Sequence, residues 1–144
     1  MTSPAVPHLA SLSTTRTAST WSRLYQLFSI LTAASVLFQF ITAGQLFPDG
    51  GPEEVHAGGA IALHVVSGLA VIATFILWRR GHMTTAQASL PVVVFVFTFI
   101  QAATGGRTSL AIHVPGAMIL TLGATWQLVS ALRPAPSARR AQQN

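Results

Sequence analysis

Four long apolar stretches dominate this sequence, and none of them contains an Asp, Glu, Lys or Arg residue. They cover about 24–47, 55–78, 86–104 and 109–132. Each is close to the ~20 residues that a helix needs to cross the hydrocarbon core of a bilayer. Because that core offers the backbone no water to bond with, all four are expected to be α-helices. The sequence therefore predicts an all-α integral membrane bundle of four helices with up-down-up-down connections.

The composition limits the cofactors and reactions that such a bundle can support. Hydrophobic residues make up 51% of the chain and charged residues only 8%, whereas a soluble domain has about 25% charged residues. The absence of cysteine excludes disulfides, iron–sulfur ligation and covalent attachment of c-type haem. No phosphate-binding glycine loop or nucleophile elbow is present, which favours a function other than catalysis.

The charged residues indicate how the bundle is oriented. Most of the basic residues flank the spans on one side: Arg16, Arg23, Arg79, Arg80, Arg133, Arg139 and Arg140. Arg107 and the three acids, Asp49, Glu53 and Glu54, lie on the other side. The positive-inside rule then places both termini and the middle loop in the cytoplasm of a plasma-membrane protein. The net charge of +5 therefore specifies orientation and not a nucleic-acid partner.

The two ends of the chain are predicted to be disordered cytoplasmic tails, over 1–20 and 134–144. Both are rich in small and polar residues and lack apolar periodicity. The transmembrane domain accordingly comprises residues 21–133.

The two halves of this domain resemble each other, which predicts two repeated helix pairs. The first and third spans end in QFITAG (Gln39 to Gly44) and QAATGG (Gln101 to Gly106). The second and fourth spans open with HAGGA (His56 to Ala60) and HVPGA (His113 to Ala117). Each half thus carries a glutamine near the outer end of one helix and an HxxGA element at the start of the next.

Three histidines lie within the second and fourth spans. His56 and His113 are each about one turn inside the outer boundary, and His64 is two turns deeper. Ionisable residues in a membrane interior are functional candidates by default. Two interpretations stay open: neutral imidazoles bonded to Gln39, Gln101, Thr42 or backbone carbonyls, and a His56–His113 pair that binds a cofactor or metal.

Among cofactors, b-type haem fits the pattern best. Its iron needs one or two axial nitrogens, a porphyrin needs a flat apolar slot between helices, and non-covalent binding needs no cysteine. His56 and His113 are the predicted ligands, with His64 as a reserve partner for His113. Arg107 is either a partner for a haem propionate or an ordinary interfacial arginine.

Glu53 to His56 reads EEVH, which resembles the ExxH element of the haem A synthase family. The glutamines at the ends of the first and third helices are also similar to that family's. The resemblance implies a cytochrome b-like four-helix half with His56 and His113 as axial ligands and Glu53 as the acidic residue. Ala57 stands where the family has an arginine, and the loop cysteines are missing, so a small electron carrier is implied rather than haem A synthesis. The HVP element also resembles that of small bacterial four-helix membrane proteins.

The leading functional prediction is a membrane protein that binds haem b near the outer face and transfers electrons to a membrane redox partner. One alternative is a cofactor-free bundle that acts as an assembly or interaction subunit. Another is metal or proton handling at the outer face by Glu53, Glu54, His56 and His113. The expected partners are the lipid bilayer and a redox protein or a second copy of the chain.

Overall fold

The structure, a computed structural model, describes residues 8–47, 50–105 and 109–133, with side chains from Thr20 onward. It contains four helices in these ranges: α1 (His8–Gln45), α2 (Glu53–Arg79), α3 (Thr85–Ala103) and α4 (Leu110–Leu132). Each has a segment that is long and apolar enough to cross a membrane, which in α1 begins at Thr20. The prediction of four such helices is confirmed, and α2, α3 and α4 begin and end within two residues of their predicted bounds.

The start of α1 differs from the predicted boundary at residue 20. The helix already begins at His8, so that residues 8–19 continue the first helix toward the N-terminus. Residues 1–7 and 134–144 lie outside the described residues, as do Asp49 and Arg107. The tails predicted at the two ends therefore stay predictions over those ranges.

Local sequence signals explain where the helices start and stop. Glu53 and Glu54 occupy the first turn of α2, where negative charge interacts favourably with the helix dipole. Thr84 accepts a hydrogen bond from the Gln87 backbone, and the Gln87 side chain accepts one from Thr84, which completes a capping box at α3. Gly81, which follows α2, has a φ of 72°, a left-handed conformation that glycine adopts without steric cost.

The helices form a ring in which each contacts two neighbours. Helix α1 packs against α2 and α4, and α3 packs against the same two helices. Helices α2 and α4, which carry His56, His64 and His113, therefore lie on a diagonal of the bundle. We call the end with loops 46–52 and 104–109 the histidine end, and the end with loop 80–84 the arginine end.

Large apolar side chains cover the outside of the bundle, whereas its interior combines apolar residues such as Leu63 and Leu77 with small and polar side chains. Leu37, Ile61 and Leu122 are 63%, 67% and 72% exposed. The buried polar side chains are Ser29, Thr32, Thr42, Ser67, Thr74, Thr98, Gln101 and Gln127. Most of the hydroxyls donate to carbonyls of their own helix, as Thr74 does to Ala70. Small interior residues allow close helix contact, and a surface of this kind is favourable in hydrocarbon and unfavourable in water.

Candidate functional site

The His56 ring is held against the end of α1 by a hydrogen bond from its Nδ1. That atom lies 2.8 Å from Thr42 Oγ1, and the same oxygen lies 3.1 Å from the carbonyl oxygens of Phe38 and Gln39. In the tautomer protonated at Nδ1, Thr42 Oγ1 accepts from His56 and gives its own single hydrogen to one of these carbonyls. The neutral ring then carries its free lone pair on Nε2.

The His113 ring is held in the same tautomer by helix α3. Its Nδ1 lies 3.1 Å from the backbone oxygen of Gln101. A carbonyl oxygen has no hydrogen to give, so Nδ1 donates and Nε2 again keeps the lone pair. Both imidazoles are partly buried, and both are oriented by a neighbouring helix rather than by their own.

In each half of the bundle, a glutamine side chain packs against a glycine of the next helix. Gln39 Nε2 donates to the backbone oxygen of His56 at 3.1 Å and lies where a Cβ on Gly59 would be. In the other half the Gln101 amide occupies the space that a Cβ on Gly116 would need. Each glycine follows its histidine by three residues, so the repeat seen in the sequence corresponds to a repeated contact between helices.

The two halves differ in how the glutamine is satisfied. The Nε2 atom of Gln39 donates to the His56 carbonyl. The Oε1 atom of the buried Gln101, in contrast, has no hydrogen-bond partner among the described residues. A buried amide oxygen left unpaired costs ~1–3 kcal/mol. The histidine end therefore contains one polar atom that a hydrogen-bond donor would stabilise.

The fold brings His56 and His113 to equivalent positions at the same end of the bundle. Each is the fourth residue of its helix, and both helices begin at the histidine end. Helices α2 and α4 lie on a diagonal of the bundle without direct contact in the described structure, so the two histidines are carried by opposite helices. This agrees with the matched depth predicted from the sequence.

His64 is not grouped with this pair. Its Nδ1 donates to the Ala60 carbonyl of its own helix. Its ring packs edge-on against Phe99 of α3, with the ring centroids 4.2 Å apart. His64 thus lies two turns deeper than His56 and faces α3, whereas His56 faces α1.

Two predicted residues, Glu53 and Arg107, remain. Glu53 is exposed at the first position of α2, and Arg107 is outside the described residues. Among the residues that are described, no three or more His, Cys, Asp or Glu side chains come together as a metal-binding group. The metal alternative for Glu53, Glu54, His56 and His113 thus has no such cluster in the described part of the chain.

Sequence reasoning missed a second polar cluster, between α1 and α4 toward the arginine end. Gln127 is fully buried, and its Nε2 donates to Ser29 Oγ at 3.2 Å. Its Oε1 has no partner in the described structure. One turn further, Gln26 Nε2 donates to the Ala131 carbonyl at 3.0 Å. The sequence feature that indicates this cluster is a glutamine within an apolar run. The same feature identified Gln39 and Gln101 at the histidine end.

Two grooves open on the sides of the bundle, and neither is lined by a histidine. One, of about 190 Å³, lies between α1 and α4. The other, of about 200 Å³, lies between α2 and α3. Sites for small molecules usually measure ~300–1,000 Å³. These grooves are therefore separate from the His56–His113 pair and are too small for a whole cofactor.

Comparison of this chain with protein-family models, with curated proteins and with solved structures gives no match. The functional argument consequently rests on the chain's own residues and their geometry.

Proposed function

We propose that this chain is a multi-pass plasma-membrane protein that binds one b-type haem between α2 and α4 at the histidine end. In this proposal it transfers electrons near the outer face of the membrane. Both termini and loop 80–84 are cytoplasmic, and the histidine end is on the outer side.

The surface of the bundle supports the membrane location. Its exposed side chains are large and apolar over four helices of spanning length, and water would oppose that distribution. Arg79, Arg80 and Arg133 cluster at one end, whereas Glu53 and Glu54 lie at the other. An excess of arginine is typical of cytoplasmic loops, which supports the proposed orientation.

The observation that carries the haem proposal is the matched pair of histidines with free Nε2 atoms. Histidines that bind metals almost always donate their other ring N–H to a carbonyl, carboxylate or water, which fixes the tautomer and the ring direction. His56 and His113 both have this bond, through Thr42 Oγ1 and the Gln101 carbonyl. The donor set therefore fits an iron with two axial imidazoles.

The role of the protein in this proposal is to hold the two imidazoles and to exclude water. When bound, a haem with both axial positions occupied supplies one-electron transfer rather than oxygen chemistry. Neither groove adjoins the histidines, so a haem held by His56 and His113 would occupy a separate place between the histidine ends of α2 and α4. The Gln39–Gly59 and Gln101–Gly116 contacts would keep each helix pair together.

The proposal is tested by haem titration of the detergent-purified protein and four single variants. His56→Ala and His113→Ala are expected to lose the low-spin haem spectrum, because each removes one axial nitrogen. His64→Ala and His82→Ala are the matched controls and should retain it, since His64 faces α3 and His82 is exposed in loop 80–84. A full spectrum in His113→Ala, or an equal loss in His64→Ala, would contradict the assignment.

The same hydrogen bonds favour a second candidate function, a cofactor-free bundle that serves as an assembly subunit. Thr42 and the Gln101 carbonyl satisfy one ring nitrogen of each histidine without any ligand, and such interhelical bonds contribute ~0.6–2 kcal/mol each. A folded, colourless protein that retains a defined membrane partner after extraction in mild detergent would support this function over the first.

A further inference from the structure

The groove between α2 and α3 lies close to the arginine end and opens toward the outside of the bundle. It is lined mostly by apolar side chains together with three hydroxyl residues: Val71, Phe75, Trp78, Ala88, Val92, Thr74, Thr85 and Ser89. Phe75 is 55% exposed and Val92 43% exposed. In a membrane these side chains would face lipid, so the groove is an apolar channel that is open to the bilayer.

Two arginines follow Trp78, the last groove residue of α2, in the sequence. Arg79 directly follows Trp78, Arg80 caps α2, and both are exposed. Across the groove, Trp78 Nε1 donates to Thr85 Oγ1 at 3.2 Å, which ties the end of α2 to the start of α3. The end of α2 that carries the arginines is therefore fixed at the same end of the bundle as the groove.

The positive charge of these arginines is not neutralised within the described part of the chain. Neither forms an ion pair there, and the described acids, Glu53 and Glu54, are at the other end of α2. At ~1.5 Å per helical residue, Glu54 is about 38 Å from Arg79. That distance exceeds the Debye length of ~8 Å at physiological ionic strength several-fold.

We infer that this groove and its arginines bind an anionic phospholipid, with the phosphate at Arg79 and Arg80 and one acyl chain along the groove. The inference requires the membrane location proposed above but not the haem. Basic pockets between transmembrane helices on the cytoplasmic side suit anionic headgroups, and guanidinium groups bind phosphate oxygens in a bidentate manner. At ~30 Å³ for a water-sized group, the groove of about 200 Å³ accommodates about six methylene-sized groups, which is part of one chain.

The second groove of the bundle provides an internal comparison. It is of similar size but is lined by Ala33, Val36, Leu37, Phe40, Thr121, Ala124 and Thr125. These residues lie in the middle of α1 and α4, away from any arginine of the described structure. Binding of a lipid chain in this groove should therefore not depend on the charge of the lipid headgroup. The charge requirement is specific to the groove between α2 and α3.

The test measures binding of phosphatidylglycerol and phosphatidylcholine to the detergent-purified full chain by native mass spectrometry. Wild type is expected to prefer phosphatidylglycerol. Arg79→Gln/Arg80→Gln should bind it about 30-fold more weakly, because each arginine near an anionic headgroup contributes roughly a factor of five. Arg79→Lys/Arg80→Lys should restore most of the binding.

Two further sets of variants separate a lipid site from general charge attraction. Ala88→Leu and, separately, Ser89→Leu fill the groove without altering charge and should weaken phosphatidylglycerol binding as well. Arg23→Gln/Arg133→Gln removes the same charge from the same end of the bundle and should leave binding unchanged. An equal loss in that control, no preference for phosphatidylglycerol in wild type, or full binding in both groove-filling variants would overturn the inference.

Discussion

Adjacent glycines in α2 should respond to the same substitution with opposite signs. Gly59 is buried against α1, and a Cβ there would overlap the Gln39 amide and lie 2.8 Å from Phe38 Cε1. Gly58 is exposed, and a Cβ there would have nothing within 4 Å. Gly59→Ala therefore tests whether the contact of Gln39 with this glycine holds the helix pair together, and Gly58→Ala is the matched control.

The expected magnitudes follow from these surroundings. At Gly59, overpacking costs ~1–3 kcal/mol and loss of the Gln39 hydrogen bond to the His56 carbonyl costs ~1 kcal/mol. The better helix propensity of alanine offsets ~1 kcal/mol of this. The net expectation is a loss of about 1–3 kcal/mol in the free energy of unfolding. Gly58→Ala has only the propensity gain, so it should be neutral or stabilising by up to ~1 kcal/mol.

Unfolding in mixed micelles of mild detergent and increasing sodium dodecyl sulfate, followed by circular dichroism, measures both variants. Gly59→Ala should unfold at a lower dodecyl sulfate fraction than wild type, and Gly58→Ala at the same or a higher one. If the two variants unfold together, Gln39 does not pack on Gly59 as described, and the structural equivalence of the two halves fails with it.

Three further substitutions test other features by the same unfolding assay. Gly116→Ala should be destabilising by about 1–3 kcal/mol, because its Cβ would displace the buried Gln101 amide; a neutral effect would argue against a repeated contact. Thr84→Ala removes the capping box of α3 and should cost ~1 kcal/mol, a loss that Thr84→Ser should largely avoid. Gln127→Met should be neutral or stabilising by up to ~2 kcal/mol. The substitution removes the unpaired buried Oε1 but also loses the hydrogen bond of Nε2 to Ser29. Marked destabilisation would show that Oε1 has a partner.

The helices could be predicted from the sequence because their boundaries coincide with changes in chemistry. The apolar runs of α2, α3 and α4 end at arginines, glycines or a proline, which interrupt both the hydrophobic pattern and the helix. The N-terminal extension of α1 was missed because residues 8–19 are rich in Ser, Thr and Ala and carry no apolar stripe. Without such a stripe the periodicity of a sequence cannot distinguish a helix from a tail.

The site was predicted in part. Spacing from the helix starts predicts His56 and His113 at the same level, and each is the fourth residue of its helix. His64 was considered together with them because it is eight residues from His56, but eight helical residues turn by about 80° beyond two full turns. That rotation directs His64 to Phe99 of α3 instead. The pairing of Gln39 with Gly59 depends on how α1 and α2 rotate against each other, which the pattern of one helix does not specify.

The central claim is that His56 and His113 together bind one b-type haem. The most direct measurement is a reduced-minus-oxidised visible spectrum, with haem stoichiometry, of the protein expressed with haem precursor and purified in mild detergent. The account predicts sharp low-spin b-type bands at one haem per chain. A flat spectrum from a sample with full helical content would contradict it and would leave the cofactor-free assembly subunit as the function to pursue.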